Sequence, residues 1–338
     1  MSKIEKKRIL IFGGTGSLGK TLIKRYIEKN EVCVFSRDES KHWTIRNRLN
    51  DPKLQFRVGD IRDESRCREI VLEFQPTHII LASALKHVDV CENSPSESIK
   101  TNITGIENVV RVVKENESRL SNLEVVLMVS TDKACSPINV YGMCKSIAER
   151  VVTSATLPNK KIRFLSVRYG NVLESRGSII PLFKYQSEHK DAITITDERM
   201  TRYVMTLDES VDLINEAMLN GNSGETWIPD LPAMSVKDLA QIFSEMSEKP
   251  VKIIGTRPGE KLHEDLINQT ESMRSKKIGK YFVIMPSNTQ PFQDKDNTLR
   301  SDRNLMTKNQ LFDHLQKLKI LTQPLSSFDG KNIEEIKT

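Results

Sequence analysis

The chain reads as an α/β protein, a doubly wound parallel sheet followed by a smaller C-terminal lobe. Three observations predict this. Short apolar runs at Arg8–Phe12, 32–35, 78–82 and Val125–Val129 have the pattern of strands buried on both faces. Segments of helical period lie between them, as in Leu18, Leu22, Ile23, Tyr26 and Ile27. A glycine turn, Gly13-Gly14-Thr15-Gly16-Ser17-Leu18-Gly19, joins the first strand directly to the first helix. Such alternation implies parallel pairing with helices on both faces.

Length and composition set the bounds. With 338 residues the chain exceeds most single cores, so it is divided into 1–170, 171–290 and a polar tail, 291–338, that carries a terminal helix over 305–321. The hydrophobic fraction is 38% and the charged fraction 28%, with no run near the roughly 20 apolar residues that span a bilayer. The basic N-terminus precedes only a four-residue apolar stretch before Gly13, short of the roughly 7–15 of a signal peptide, so a cytoplasmic location is expected. Five cysteines without a Cys-x-x-Cys pair fit reduced thiols. His87 and Cys91 lie one helical turn apart but lack a third ligand, and no metal is expected. The net charge of +6 is mild and dispersed, favouring anionic small molecules; no nucleic-acid motif is present.

The elements follow in order. After the strand at Arg8–Phe12, Gly13 takes a tight turn, Gly16 lets the backbone approach a pyrophosphate at a helix N-terminus, and Gly19 permits close contact between helix and sheet. Set between strand and helix, this turn predicts a dinucleotide site in a Rossmann-like domain. The second strand ends in Ser36-Arg37-Asp38-Glu39, with Lys41 beyond. A guanidinium there suits a ribose 2′-phosphate and favours NADP, whereas in the alternative Arg37 is merely exposed and Asp38 takes the ribose. The third strand, 54–58, leads to Asp60 and Ile61, placed to meet an adenine amine and ring face. The fourth ends at Ala82, Ser83 and Ala84. Ser94-Pro95 then opens a helix, with serine as the cap.

The fifth strand runs into Ser130-Thr131-Asp132-Lys133 and then a helix from Tyr141. Tyr141 and Lys145 share a helix face, where the ammonium lowers the phenol from its usual value of about 10. Thr131 adds a hydroxyl just past the strand end, where such sheets bind ligands. The Tyr-Lys spacing alone also describes a surface pair with a snorkelling lysine; the glycine turn upstream favours a site. A sixth strand spans 161–169. Short strands such as 193–195 and helices over about 207–219 and 236–246 then predict the smaller lobe, with Arg176, Arg202 and Arg257 on loops facing the first.

Linked motifs give the set a familiar order. They are the glycine turn, Ser36 to Glu39, Ala84-Leu85-Lys86-His87-Val88, Lys100-Thr101-Asn102-Ile103 and Ser130 to Ala134, then Arg168 to Val172, Ser175 to Ser178, Asp197 with Met200-Thr201-Arg202, and Arg257-Pro258-Gly259-Glu260-Lys261. Over about residues 7–285 the chain closely resembles the extended short-chain dehydrogenases that act as UDP-N-acetylglucosamine 4,6-dehydratases, especially the C5-inverting enzymes of pseudaminic acid and capsular sugar pathways. The resemblance implies tightly held NADP, recycled within each turnover, and a homo-oligomer, dimer or hexamer. Tyr141 would take the C4 hydroxyl proton, with Thr131 on the same oxygen; Lys133 would remove the C5 proton, its pKa lowered to about 7–8 by burial and Lys145; Asp132 would protonate the departing C6 hydroxyl.

Gly13, Thr15, Gly16, Ser17, Leu18, Gly19, Ser36, Arg37, Asp38, Lys41, Asp60, Ile61, Ala82, Ser83, Ala84, Lys86, Thr101, Tyr141 and Lys145 would hold the cofactor. Lys86, Asn171, Val172, Ser178, Thr194, Met200, Arg202, Arg257 and Glu260 would line the UDP-sugar path, with Arg202 and Arg257 on the diphosphate. Ser83 and Cys135-Ser136 depart from the usual pattern, and Ser83 adds a hydroxyl on the nicotinamide side. Two rivals share the fold, a UDP-sugar 4-epimerase, which has no use for Asp132-Lys133, and a UDP-glucose 4,6-dehydratase. A third, a non-catalytic NADP sensor, is disfavoured by the joint presence of Tyr141 and Lys145.

Overall fold

The computed structural model describes residues 4–155, 157, 161–173, 175, 177–291 and 296–325. Its first half alternates β1 (Arg8–Phe12), α1 (Ser17–Tyr26), β2 (Glu31–Ser36), α2 (Glu39–Leu49), β3 (Leu54–Val58), α3 (Glu64–Phe74) and β4 (His78–Leu81). Next come α4 (Val88–Asn93), α5 (Pro95–Ile99), a π-turn at Lys100–Thr104 and α6 (Gly105–Glu115). Then follow β5 (Val125–Val129), a 3₁₀ turn at Asp132–Ala134, α7 (Val140–Thr153) and β6 (Arg163–Val167). The second half holds β7 (Asn171–Val172), α8 (Ile179–His189), β8 (Ile193–Ile195), β9 (Thr201–Met205), α9 (Leu207–Asn220), β10 (Thr226–Pro229), β11 (Ala233–Ser235) and α10 (Val236–Ser247). It closes with β12 (Val251–Ile253), β13 (Asp265–Ile267), α11 (Gln269–Ser272), β14 (Ser275–Ile278), β15 (Tyr281–Ile284), β16 (Leu299–Arg300) and α12 (Lys308–Lys317).

Nine strands form the central sheet in the order β14-β15-β10-β6-β5-β4-β1-β2-β3. The run from β3 to β10 is parallel, as expected; β15 and β14 extend the edge antiparallel, which the sequence pattern does not foretell. Strand order reverses between β1 and β4, opening the crevice at their carboxyl ends where doubly wound sheets bind ligands. Alternate residues of the continuously apolar strands face opposite layers. Ile9, Ile11, Val125 and Leu127 pack against Leu22 and Ile23 of α1 and Leu213 and Ala217 of α9. Leu10, Phe12, Val126 and Met128 pack against Ile70, Val109, Val113 and Ala148 of α3, α6 and α7. A separate core joins α8, α10 and α12 through Phe183, Leu239, Phe243, Leu311 and Leu315.

Three expectations are corrected. The helix expected at 207–219 in the smaller lobe is α9, which packs beside α1 on the main sheet, because its apolar stripe completes that face. Ser94 makes no side-chain cap bond. Its backbone N–H closes α4 on the Val90 carbonyl, so only Pro95 acts as a helix start. The terminal helix is shorter than 305–321: Thr307 caps α12, and the left-handed Lys319 (φ 58°) follows its end. Elsewhere the caps obey local chemistry; Asp38 and Asp63 accept the N–H groups of Lys41 and Arg66, each worth about 1 kcal/mol.

Candidate active site

The crevice begins at the glycine turn. Gly13 sits at φ 85°, and a Cβ there would lie 2.7 Å from the Ser83 backbone and 2.8 Å from its hydroxyl, so the ends of β1 and β4 meet only across glycine. A Cβ on Gly19 would lie 2.4 Å from Gly14, which ties α1 to the turn. Gly16 caps α1 without a side chain over the helix end, leaving the form of an anion cradle. Ser17 and the half-buried Leu18 begin that helix, Leu18 packing on the sheet core. The Thr15 hydroxyl donates to Ser36 Oγ (3.3 Å), which lies 2.7 Å from His42 Nε2.

Arg37 is 57% exposed and 3.7 Å from Asp60. Asp38 turns back on its own helix, accepting from the Lys41 N–H (3.0 Å) and pairing with its ammonium (2.6 Å). Asp60 accepts from the Arg62 backbone and guanidinium, and Ile61 is buried against Gly105, so both also have structural work. On the other side Ala82 continues the sheet by donating to the Phe12 carbonyl, followed by half-buried Ser83 and exposed Ala84 and Lys86. Asn102, in the π-turn, brackets Leu85 with bonds to its N–H and carbonyl (both 2.9 Å). The adjacent Thr101 hydroxyl is buried and has no hydrogen-bond partner among the described residues. An orphaned hydroxyl at the crevice, an open helix N-terminus and the glycine cradle together fit a bound dinucleotide.

Past β5 the chain stays in register with the sheet, since Ser130 and Asp132 donate to the carbonyls of Val167 and Tyr169. This aims Thr131, Asp132 and Lys133 out of the strand end. The Thr131 hydroxyl donates to Asp132 Oδ1 (2.9 Å), which also receives the Lys133 ammonium (3.1 Å). α7 presses directly on this turn: a Cβ on Gly142 would lie 2.2 Å from the Lys133 carbonyl oxygen. Asn139 caps α7 by accepting from Gly142 N–H (2.8 Å) and donates to the Gly259 carbonyl (2.7 Å), binding the loop that carries Arg257 and Glu260 to α7.

Two electrostatic expectations are corrected. Lys145 does not lower the Tyr141 phenol: burial raises it, the Asp132 charge adds to this, and a hydrogen bond with Thr131 only partly opposes it. Burial instead lowers Lys145 to about 8, while its ammonium donates to the Val129 carbonyl (2.6 Å). Lys133 is not brought down either. Burial acts in that direction, but Asp132 and Glu264 outweigh it and hold the ammonium above its ordinary value. Asp132, fully buried, is held above the carboxylate range by burial first, against the pull of Lys133.

The residues expected to line the sugar path divide. Asn171 and Val172 form β7, the edge of a small separate sheet β11-β9-β7, and the Asn171 amide oxygen is buried without a hydrogen-bond partner among the described residues. Arg202 reaches the Asp132–Lys133 cluster, 3.9 Å from Glu264, with its donors on the carbonyls of Thr201, Lys261 and Leu262. Arg257 is exposed, and Glu260 accepts its N–H. The hydroxyl of Ser178 donates to the Leu173 carbonyl and that of Thr194 accepts from the Gln186 side-chain amide, while buried Met200 accepts from Thr196. Arg176 lies outside the described residues. Sequence reasoning missed Glu264, buried at the heart of the cluster; the charged run from Glu260 to Glu264 was its only local signal. Among the described residues no group of three His, Cys, Asp or Glu side chains is placed to hold a metal, and no helix is long and apolar enough to cross a membrane. Cys135 is buried with its thiol 3.4 Å from Glu271, and its carbonyl accepts the Lys261 ammonium (2.6 Å).

Comparison with known proteins adds independent information. The polysaccharide biosynthesis protein family matches residues 9–286. A UDP-N-acetylglucosamine 4,6-dehydratase (inverting) from Campylobacter jejuni subsp. jejuni serotype O:2 is 39% identical over 298 residues, covering 86% of each chain. A UDP-glucose 4-epimerase from Rickettsia bellii is 37% identical, covering 82% of each. Among solved structures, Pen from Bacillus thuringiensis superposes with a TM-score of 0.86 at 33% identity, covering 94% of this chain and 98% of that one.

Proposed function

Because the chain belongs to the polysaccharide biosynthesis protein family, a branch of the extended short-chain dehydrogenases, we propose that it is an NADP-dependent UDP-N-acetylglucosamine 4,6-dehydratase that inverts C5. The observation that carries this is the Asp132-Lys133 pair, an acid and a base in contact at 3.1 Å at the end of β5. A 4-epimerase needs only the Tyr141 side of the site.

The glycine turn at 13–19 and Arg37 would hold NADP, which would supply reversible hydride transfer between C4 and C6. The protein supplies the protons. Tyr141, as phenolate, would take the C4 hydroxyl proton with Thr131 beside it; Lys133, once its ammonium has passed a proton to Asp132 across their 3.1 Å contact, would remove the C5 proton made acidic by the 4-ketone, and Asp132 would deliver the proton it received to the departing C6 hydroxyl. Asp132 is suited to this because burial raises the proton affinity of its carboxyl, against the pull of Lys133. NADP is favoured over NAD because Asp38 is occupied by Lys41 while Arg37 is exposed at the end of β2. A homo-oligomer is supported by Val90, Ile99, Met143 and Ile147, exposed apolar side chains on α4, α5 and α7.

The test is an NMR time course of the purified protein with UDP-N-acetylglucosamine in deuterated water, without added cofactor. A new 6-methyl signal, a hydrated 4-ketone and deuterium at C5 are expected, with couplings that give the inverted C5. An intact 6-CH₂ with a gluco to galacto change would replace this reading with epimerisation. Turnover of UDP-glucose alone would keep the mechanism and change the substrate.

A further inference from the structure

Glu264 is 2% exposed and has no role in the chemistry above. Its Oε1 lies 3.4 Å from Lys133 Nζ and 3.9 Å from Arg202 Nε, and its Oε2 lies 3.9 Å from Lys261 Nζ. One ammonium, Lys133, therefore bridges two buried carboxylates. Asp132 Oδ2 and Glu264 Oε2 are both buried without a hydrogen-bond partner among the described residues. Two carboxylates that share one ammonium raise each other's affinity for a proton. The surroundings are unequal. Asp132 has one cation, Lys133, and one neutral donor, Thr131; Glu264 faces Lys133 from the 3₁₀ turn, Arg202 from β9 and Lys261 from its own loop.

We propose that Glu264 is a positioning residue of the reaction, the fixed buried anion that holds the Lys133 side chain against Asp132 and retains within the Lys133–Asp132 pair the one proton that the two exchange. This rests on the dehydratase reading of the site. The charge directions agree. Burial raises Asp132 and the Glu264 charge adds to it, whereas in Glu264 burial is outweighed by the three cations, which hold it below the carboxylate range. Other ionisable groups border the cluster without replacing Glu264: Tyr141 and Tyr203 feel the Asp132 charge, Asp265 faces Lys261 and Arg300, and His263 meets Thr201 and Asp302. The backbone of Glu264 is anchored independently of its carboxylate, since its N–H donates to Ser301 Oγ (2.8 Å) and its carbonyl accepts from Ser301 N–H (2.9 Å). A Glu264→Gln variant thus removes charge while keeping shape.

The experiment has two readouts. Carboxyl ¹³C NMR of aspartate-labelled protein without substrate, with Asp132 assigned through Asp132→Asn, follows the Asp132 titration. In Glu264→Gln the Asp132 midpoint is expected to fall by about one pH unit or more. An unmoved midpoint overturns the proposal. Turnover against pH is the second readout. Loss of the anion lowers both Lys133 and Asp132, so both limbs of the profile move to lower pH; a profile that only shrinks marks a purely structural role and also overturns the proposal. Glu264→Asp keeps the charge and restores both limbs in large part, which identifies charge as the cause. If the wild type epimerises instead of dehydrating, Asp132 loses its role as acid and the positioning claim falls with the functional reading. The NMR midpoint reports on the charge clamp separately, so the two failures are distinguishable.

Discussion

Asp132 and Lys133 are adjacent in sequence but are made a reactive pair by what surrounds them. Asp132 is fully buried and Lys133 reaches it from a turn whose ammonium side chain stays 21% exposed, facing the open crevice. Replacing Lys133 by Met should leave C4 oxidation measurable, as a single-turnover rise in reduced-cofactor absorbance, while C5 deuterium exchange falls by about 10² to 10⁴. Asp132→Asn should retain C5 exchange better than elimination of the C6 hydroxyl. Equal loss of exchange and elimination in both variants would contradict the division of roles. The local pair Tyr141 and Lys145 was legible from spacing, but their pKa relation was not, because burial and the Val129 carbonyl govern Lys145 and only the fold provides either.

α7 carries its chemistry because a glycine lets it approach the 3₁₀ turn. A methyl group at position 142 would stand only 2.2 Å from the Lys133 carbonyl oxygen, so Gly142→Ala must displace one element or the other. A loss of about 1–3 kcal/mol in unfolding free energy is expected, with turnover reduced more than cofactor affinity, checked by denaturant unfolding and cofactor titration. The π-turn works at the same scale. Asn102 is buried and holds both backbone groups of Leu85, so Asn102→Ala should weaken nicotinamide-dinucleotide binding through the loop at 83–87, read as a raised dissociation constant with little change in helix content. Nothing in the periodicity of 95–115 marks that π-turn. Its residues were legible as a motif, whereas the extra backbone residue in the turn depends on packing against the crevice.

Across the whole molecule one buried ionic junction joins the layers. Arg168, following β6, donates to Glu149 of α7 and Glu271 of α11, with separations of 2.6 Å and 2.8 Å in the closest contacts. Arg168→Met strands two buried carboxylates and should cost about 3–5 kcal/mol, measured by equilibrium unfolding. The junction also sets an acid limit. Burial opposes ionisation of Glu271, but Arg168 prevails and holds it at about 2, below its unfolded value of about 4.3. Its contribution is therefore present above about pH 4.3 and is lost as pH falls from there toward 2. Glu271→Gln should flatten that part of the stability curve; an unchanged slope between those pH values would refute the assignment.

The central sheet, the glycine cradle and the placement of Thr131, Asp132, Lys133, Tyr141 and Lys145 were all readable in the linear chain, because strand period, turn chemistry and helix spacing are local properties. Long-range packing settled the rest: that α9 belongs to the main sheet, that β14 and β15 close its edge antiparallel, and that Glu264 meets Lys133. Each of these depends on which distant surfaces bury one another and on how a shared low-dielectric interior divides protons among charges from separate segments. A single sequence encodes those pairings without displaying them.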